Sequence, residues 1–269
     1  MIPSKVIQPR VCAVSYLNTV PLVWGMLHAP DEQLRSVFDV HFKLPSVCAD
    51  ELRSGAADIG IVPVIEMARQ GLDYFRGVGI ACHGPVRTIL LISKVPFGKI
   101  RTLATDAGSR SSVMLSRVIL AEKYGVSPKV ISLPANLPAM LTEADAALII
   151  GDAALALDPE KLPFETLDLG QLWNEMTGLP MVFAVWSGRR EVMQERYEKA
   201  FVESCRYGVT HIDDIVQAEA PARGFAADLV RTYLTRHIVF ELGDRDLEGM
   251  KLYLKQALAL DRVQEGISA

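Results

Sequence analysis

The sequence predicts a two-lobed α/β protein followed by a helical tail, and three observations carry that expectation. Short β-prone runs alternate with helical patterns through residues 11–150, as parallel strands joined by crossover helices require. The rhythm pauses at Pro96 and Gly98 and then restarts, so two sheets fit better than one. From Arg189 onward apolar residues recur at helical intervals.

The elements follow in order. Residues 11–15 form a strand, and Pro21 sits where a first helical turn tolerates proline, ahead of a helix over 22–27. Residues 37–44 are the next strand; Pro45 and Ser46 then open a helix that Gly55 ends, and 58–62 is a buried-strand run. A short helix over 63–70 precedes the β-prone 86–93. The second set comprises a strand over 102–105, a helix over 111–124, a strand over 129–133, a helix over 136–142 and a strand over 146–150. After Pro180 comes one more strand, 181–186, and then helices over 191–217, 221–236 and 244–260 that are expected to pack on the first lobe. The lobes are therefore expected to comprise 1–94 with 187–269, and 95–186, with crossings near 94–97 and 181–188. Between them lies a cleft where strand ends meet, the usual ligand position in open α/β sheets.

Composition narrows the function. With 269 residues, half of them apolar and 22% charged, the chain buries a substantial core. Twenty-eight basic against thirty-two acidic residues leave a net charge of -4, which offers no basic field to nucleic acid or acidic membranes. The most apolar window, 144–157, is interrupted by Asp145 and Asp152 and falls short of a membrane span. Residues 1–10 lack a secretory pattern, so a cytoplasmic location is expected. Cys12, Cys48, Cys82 and Cys205 show no CxxC spacing and the five histidines no ligand spacing, so reduced core thiols and no metal are expected. Nucleotide-loop and serine-hydrolase fingerprints are absent. The Asp213-Asp214 pair reads as a solvated helix face.

Four segments place polar groups directly after or before a buried strand. In the first, Ser15, Tyr16 and Asn18 either cap the next helix or aim Asn18's amide at a ligand. In the second, His83 supplies a ring donor and Gly84 lets backbone approach a ligand, with turn chemistry as the alternative. In the third, Thr105, Ser109, Arg110, Ser111 and Ser112 gather hydroxyls, free N–H groups and a helix's positive end into a carboxylate cradle. In the fourth, Gly151 and Asp152 link a strand to a helix; Asp152 as N-cap outranks a ligand contact.

Taken in order, SYLNTVPL, GAADIGIVPVIE, CHGPVRTILLIS, DAGSRSSVMLSRVIL, ALIIGDAAL and TGLPMVFAVW resemble the chorismate dehydratases of the futalosine route to menaquinone, from about Val11 to Trp186. The resemblance implies the type II periplasmic-binding-protein fold re-used by a cytoplasmic enzyme. It implies that chorismate loses water to give 3-[(1-carboxyvinyl)oxy]benzoate, a redox-neutral step calling for neither cofactor nor metal. On that resemblance the Ser109, Ser111 and Ser112 turn is expected to take one substrate carboxylate, and the backbone around His83 and Gly84 the other or the ring edge. Asn18, matching the asparagine of the family's SYLN motif, is expected to hold the enolpyruvyl group or the departing hydroxyl in the reactive geometry. A substrate carboxylate is the expected base, with His83 competing. His83 occupies a variable position of the family's S-x-G-P-V stretch, and Cys82 stands where serine is common. The alternatives are the related 1,4-dihydroxy-6-naphthoate synthase and a non-catalytic small-carboxylate binder. Oligomeric state is left open.

Overall fold

The computed structural model describes residues 8–106, 108 and 110–264. The chain opens with β1 (Arg10–Val14), α1 (Val20–His28), α2 (Glu32–Ser36), β2 (Asp39–Lys43), α3 (Pro45–Ser54) and β3 (Ile59–Pro63). These three strands are parallel, so each connection needs a crossover helix. Every residue of β3 is buried, as in a parallel strand covered on both faces. Gly55, at φ 76°, ends α3 in the left-handed conformation that glycine enters without a Cβ clash. After α4 (Val64–Gln70) and β4 (Asp73–Cys82) the chain crosses into a second lobe. That lobe comprises β5 (Ile89–Ser93), β6 (Thr102–Thr105), α5 (Arg110–Tyr124), β7 (Lys129–Ser132), α6 (Leu137–Glu143), β8 (Ala146–Ile150), α7 (Gly151–Leu155), β9 (Glu165–Asp168) and α8 (Leu169–Thr177). The return path is β10 (Met181–Gly188), α9 (Glu195–Thr210), α10 (Ile212–Arg223), α11 (Ala227–Thr232), β11 (Val239–Glu241) and α12 (Asp244–Gln264).

The strand orders are β11-β4-β10-β3-β1-β2 and β7-β6-β8-β5-β9. β10 runs antiparallel to β3 and β4, and β5 antiparallel to β8 and β9. Each is the first strand after a crossing. A chain that leaves one sheet at the cleft enters the next sheet at the cleft, and so runs against strands that end there. This corrects the expected boundaries, since the division 1–94 with 187–269 against 95–186 put residues 89–93 in the first lobe and 181–186 in the second. Their hydrogen-bond partners are the reverse, which moves the crossings to residues 83–88 and 178–180. An apolar run records that a strand is buried, but not which sheet holds it.

The tail differs as well. A π turn over Tyr233–His237 and the short β11 interrupt the expected helices. Packing is not confined to the first lobe, because α12 touches α4 and β10 on one side and α5 on the other. Within the first lobe Phe201 of α9 sits 4.5 Å from Trp186, 4.8 Å from Phe38 and 5.3 Å from Phe75 between ring centroids. α1 and α9 approach so closely that the Ser204 hydroxyl donates to the Leu22 carbonyl at 2.9 Å and accepts from the Met26 N–H at 3.0 Å. A Cβ on Gly208 would lie 2.1 Å from the Pro21 carbonyl oxygen. Gly208→Ala is therefore expected to cost about 1–3 kcal/mol by overpacking, seen as a lower denaturant midpoint at unchanged slope. Among the described residues no helix is long and apolar enough to cross a membrane.

Candidate active site

Strand ends from both sheets wall a cavity whose free space, counted out into its open mouth, is about 580 Å³. Ile61, Ile80, Ile89, Ile150 and Phe183 make it largely apolar, while Tyr16, Asn18, Thr88, Arg110, Ser111 and Ser112 bring polar atoms. A few placed polar groups in a largely apolar cavity suit one small, oriented ligand.

Asn18 follows β1 through a single 3₁₀ turn, Leu17–Thr19. Its Oδ1 is buried and has no hydrogen-bond partner among the described residues. Leaving such an oxygen unpaired costs about 1–3 kcal/mol, and it belongs to a side chain that lines the cavity. Beside it the ring of Tyr16 lies over Gly151, where a Cβ would come within 3.0 Å of the ring and φ is 59°. Only glycine meets both demands. Burial, with the charges of Asp106 and Asp152 adding to it, pushes the Tyr16 phenol up to about 12, so it stays a neutral group.

Across the cavity stands the first turn of α5. Ser111 and Ser112 are buried there, and the fifteen-residue helix brings free N–H groups and its positive dipole end to the wall. The Ser111 hydroxyl accepts from the Ile65 N–H at 3.4 Å, and the Ser111 carbonyl accepts from the Tyr253 hydroxyl at 2.9 Å. Ser109 lies outside the described residues.

Arg110 reaches the wall but is not a free cation. Its guanidinium donates to Glu66 at 2.8 Å and to both oxygens of Asp50 at 3.1 and 3.2 Å, joining the second lobe to the first. Glu66, with only 3% of its side chain exposed, also accepts from Arg53 at 2.9 Å and Arg69 at 3.0 Å. Burial works to raise the Glu66 carboxyl, but hydrogen bonds and charge from Arg69 and Arg110 hold it below the usual carboxylate range.

Other sequence-predicted residues stand outside the cavity wall. Asp152 accepts from the Leu17 N–H at 3.1 Å and pairs with Arg223, which also donates to the Ser15 carbonyl at 3.1 Å. Ser15 and Asp152 thus tie the lobes together, and Ile150 rather than Asp152 occupies the N-cap of α7. The His83 ring turns toward α12, with Nε2 2.7 Å from Asp246 Oδ1, and neither His83 nor Gly84 lines the cavity. Thr105 is buried at the end of β6 and faces a separate depression with Arg69, Arg117 and Ser132. The second segment contributes Val86 and Thr88 instead. Thr88 Oγ1 lies 3.0 Å from the hydroxyl of Tyr233, a phenol raised by complete burial. The position of Thr88 at the mouth of a buried strand is a signal the sequence does carry. Tyr233, lying in the π turn, leaves none.

A family model described as menaquinone biosynthesis matches residues 9–259. Over 197 residues the chain is 32% identical to the chorismate dehydratase of Thermus thermophilus, an alignment covering 67% of this chain and 71% of the relative. It is 26% identical over 256 residues to the chorismate dehydratase of Campylobacter jejuni, covering 92% and 97% of the two chains. Among solved structures, a protein of Archaeoglobus fulgidus superposes with a TM-score of 0.77 at 15% identity, over 96% of this chain and 99% of that one. The periplasmic aliphatic sulphonate binding protein of Escherichia coli does so with a TM-score of 0.66 at 14% identity, over 96% and 87%. The fold is that of the periplasmic binding proteins.

Proposed function

Because this chain belongs to the menaquinone biosynthesis family, we propose that it is a cytoplasmic hydro-lyase that removes water from chorismate to give 3-[(1-carboxyvinyl)oxy]benzoate. The observation that carries the reading is the unpaired Asn18 Oδ1, which shares one apolar cavity with the buried serines of α5. Chorismate offers a hydroxyl to the first and a carboxylate to the second. In the reaction the ring C–H at the ether-bearing carbon breaks, and its electron pair forms the new ring double bond. The neighbouring C–O bond breaks, and the departing hydroxide takes up a proton to leave as water. Aromatisation supplies the driving force.

The described wall residues include no carboxylate and no imidazole. A carboxylate of the substrate therefore takes the proton, while Asn18 and the serine turn hold the reactive conformer and stabilise charge. His83, paired with Asp246, stands apart from this step. His83→Gln is expected to keep kcat for chorismate within about threefold of the parent enzyme. Near-complete loss of turnover with binding retained would make His83 the base. The reading as a whole is tested by incubating the purified protein with chorismate and following the aromatic product by absorbance; no product would overturn it.

A further inference from the structure

We propose that Cys12, His41, Cys48 and Glu51 form a binding site for one thiophilic divalent cation of the zinc class, remote from the cavity and independent of the reaction proposed for it. Ligand spacing along the chain predicts no metal, because these donors come from three elements. Register and helix geometry bring them together. Cys12 and His41 are direct partners on the parallel strands β1 and β2, so they project from the same face of the sheet. α3 crosses that face and presents Cys48 and Glu51, three residues apart and hence on one side of the helix.

One donor atom each from Cys12, His41 and Glu51 lies within 4.8 Å of the others. The Cys12 and Cys48 sulfurs are 2.9 Å apart, and His41 Nε2 is 2.5 Å from Glu51 Oε2. Cys48 Sγ also lies 3.5 Å from the Ala13 carbonyl oxygen. Bond lengths of about 2.3 Å to sulfur and about 2.0 Å to nitrogen or oxygen put tetrahedral donors about 3.3–3.8 Å apart. The Cys12–Cys48 and His41–Glu51 pairs each lie closer than that and need to open by about 1 Å. Cys48, which stands outside the mutual 4.8 Å of the other three donors, needs to turn in toward them to complete the set. Two thiols, an imidazole and a carboxylate make a donor set suited to zinc rather than to calcium or magnesium.

The burial gradient fits entry from solvent. Both cysteines are fully buried, whereas the His41 and Glu51 side chains keep 34% and 19% of their surface exposed. An ion entering past His41 would displace the two thiol protons and clamp β1, β2 and α3 together.

The test uses the full chain, stripped with a chelator and kept reduced with a phosphine. Titration with cobalt(II) is expected to give a thiolate-to-cobalt charge-transfer band and tetrahedral visible bands that saturate at one equivalent and vanish on adding zinc. Cys48→Ser should abolish most of the charge-transfer intensity. Because Cys48 is fully buried, His41→Ala on the rim serves as the second variant, and it should weaken zinc binding at least about tenfold in competition with a chromophoric chelator. A featureless cobalt titration, or zinc affinity unchanged in His41→Ala, overturns the site. So does a protein that takes up no ion and only forms a Cys12–Cys48 disulfide on oxidation.

Discussion

Replacing Asn18 with alanine is expected to lower kcat for chorismate by about 10²–10³-fold, while KM moves by far less. The expectation rests on how the amide is held. Its Oδ1 is buried and has no partner among the described residues, in a wall that is largely apolar. A guest hydroxyl that donates there gains a hydrogen bond in a low-dielectric setting, and its C–O bond is fixed relative to the C–H that must break. On the proposed reading most of the binding is expected from elsewhere, from apolar contact with Ile61, Ile80 and Phe183, which line the cavity, and from the α5 turn. Losing Asn18 should therefore leave the substrate bound but free to sample unreactive poses. Asn18→Asp sharpens the test, since it preserves shape while adding a negative charge near a dianionic substrate; it should raise KM as well as lower kcat. Single-turnover kinetics separate the effects. An Asn18→Ala enzyme with normal kcat and a raised KM would reduce the residue to a simple binding contact.

Much of this site is legible in the sequence because polar residues follow buried strands. Tyr16 and Asn18 after β1, Ser111 and Ser112 at the start of α5, and Gly151 after β8 all reach one cavity from positions that a strand-to-loop reading marks. Direction is less legible. His83 occupies the same kind of position, yet the backbone turns at Gly84 and sends its ring to Asp246, a residue 163 positions later in the chain. Asp152 fails in the same way, because Arg223 arrives from the tail to meet it. Long-range ion pairs of this sort decide which side of a loop faces the cavity, and no local pattern records them. The β4 strand is hidden for a different reason. Asp73, Arg76, Gly77 and Gly79 break its apolar run, although its second half is wholly buried. The zinc-class cluster is invisible to spacing altogether, since strand register rather than sequence distance sets Cys12 beside His41.

The second large effect is expected from Glu66→Gln, which should destabilise the protein by about 3 kcal/mol at neutral pH. Glutamine keeps the shape but removes a buried negative charge that faces Arg53, Arg69 and Arg110. It also turns one acceptor into a donor aimed at guanidinium N–H groups. The value lies at the low end for a broken buried pair because Arg53 and Arg69 keep 56% and 36% of their side-chain surface in water. Arg110 has less relief, since its one remaining acidic partner is the half-exposed Asp50. The pH dependence follows from the lowered Glu66 carboxyl. A carboxyl held below its unfolded value binds fewer protons folded than unfolded. Its contribution is thus complete above about pH 5 and fades as the pH falls through the lowered value. Denaturant titrations at about pH 7 and at progressively lower pH should show the gap between parent and variant narrowing toward acid. The same substitution cuts a link between α4 in the first lobe and α5 in the second. Solution scattering should then report a larger radius of gyration for the variant than for the parent. A gap below about 0.5 kcal/mol that does not change with pH would mean that the arginines around Glu66 are satisfied without it, and that the lobes are held by the Asp152–Arg223 tie instead.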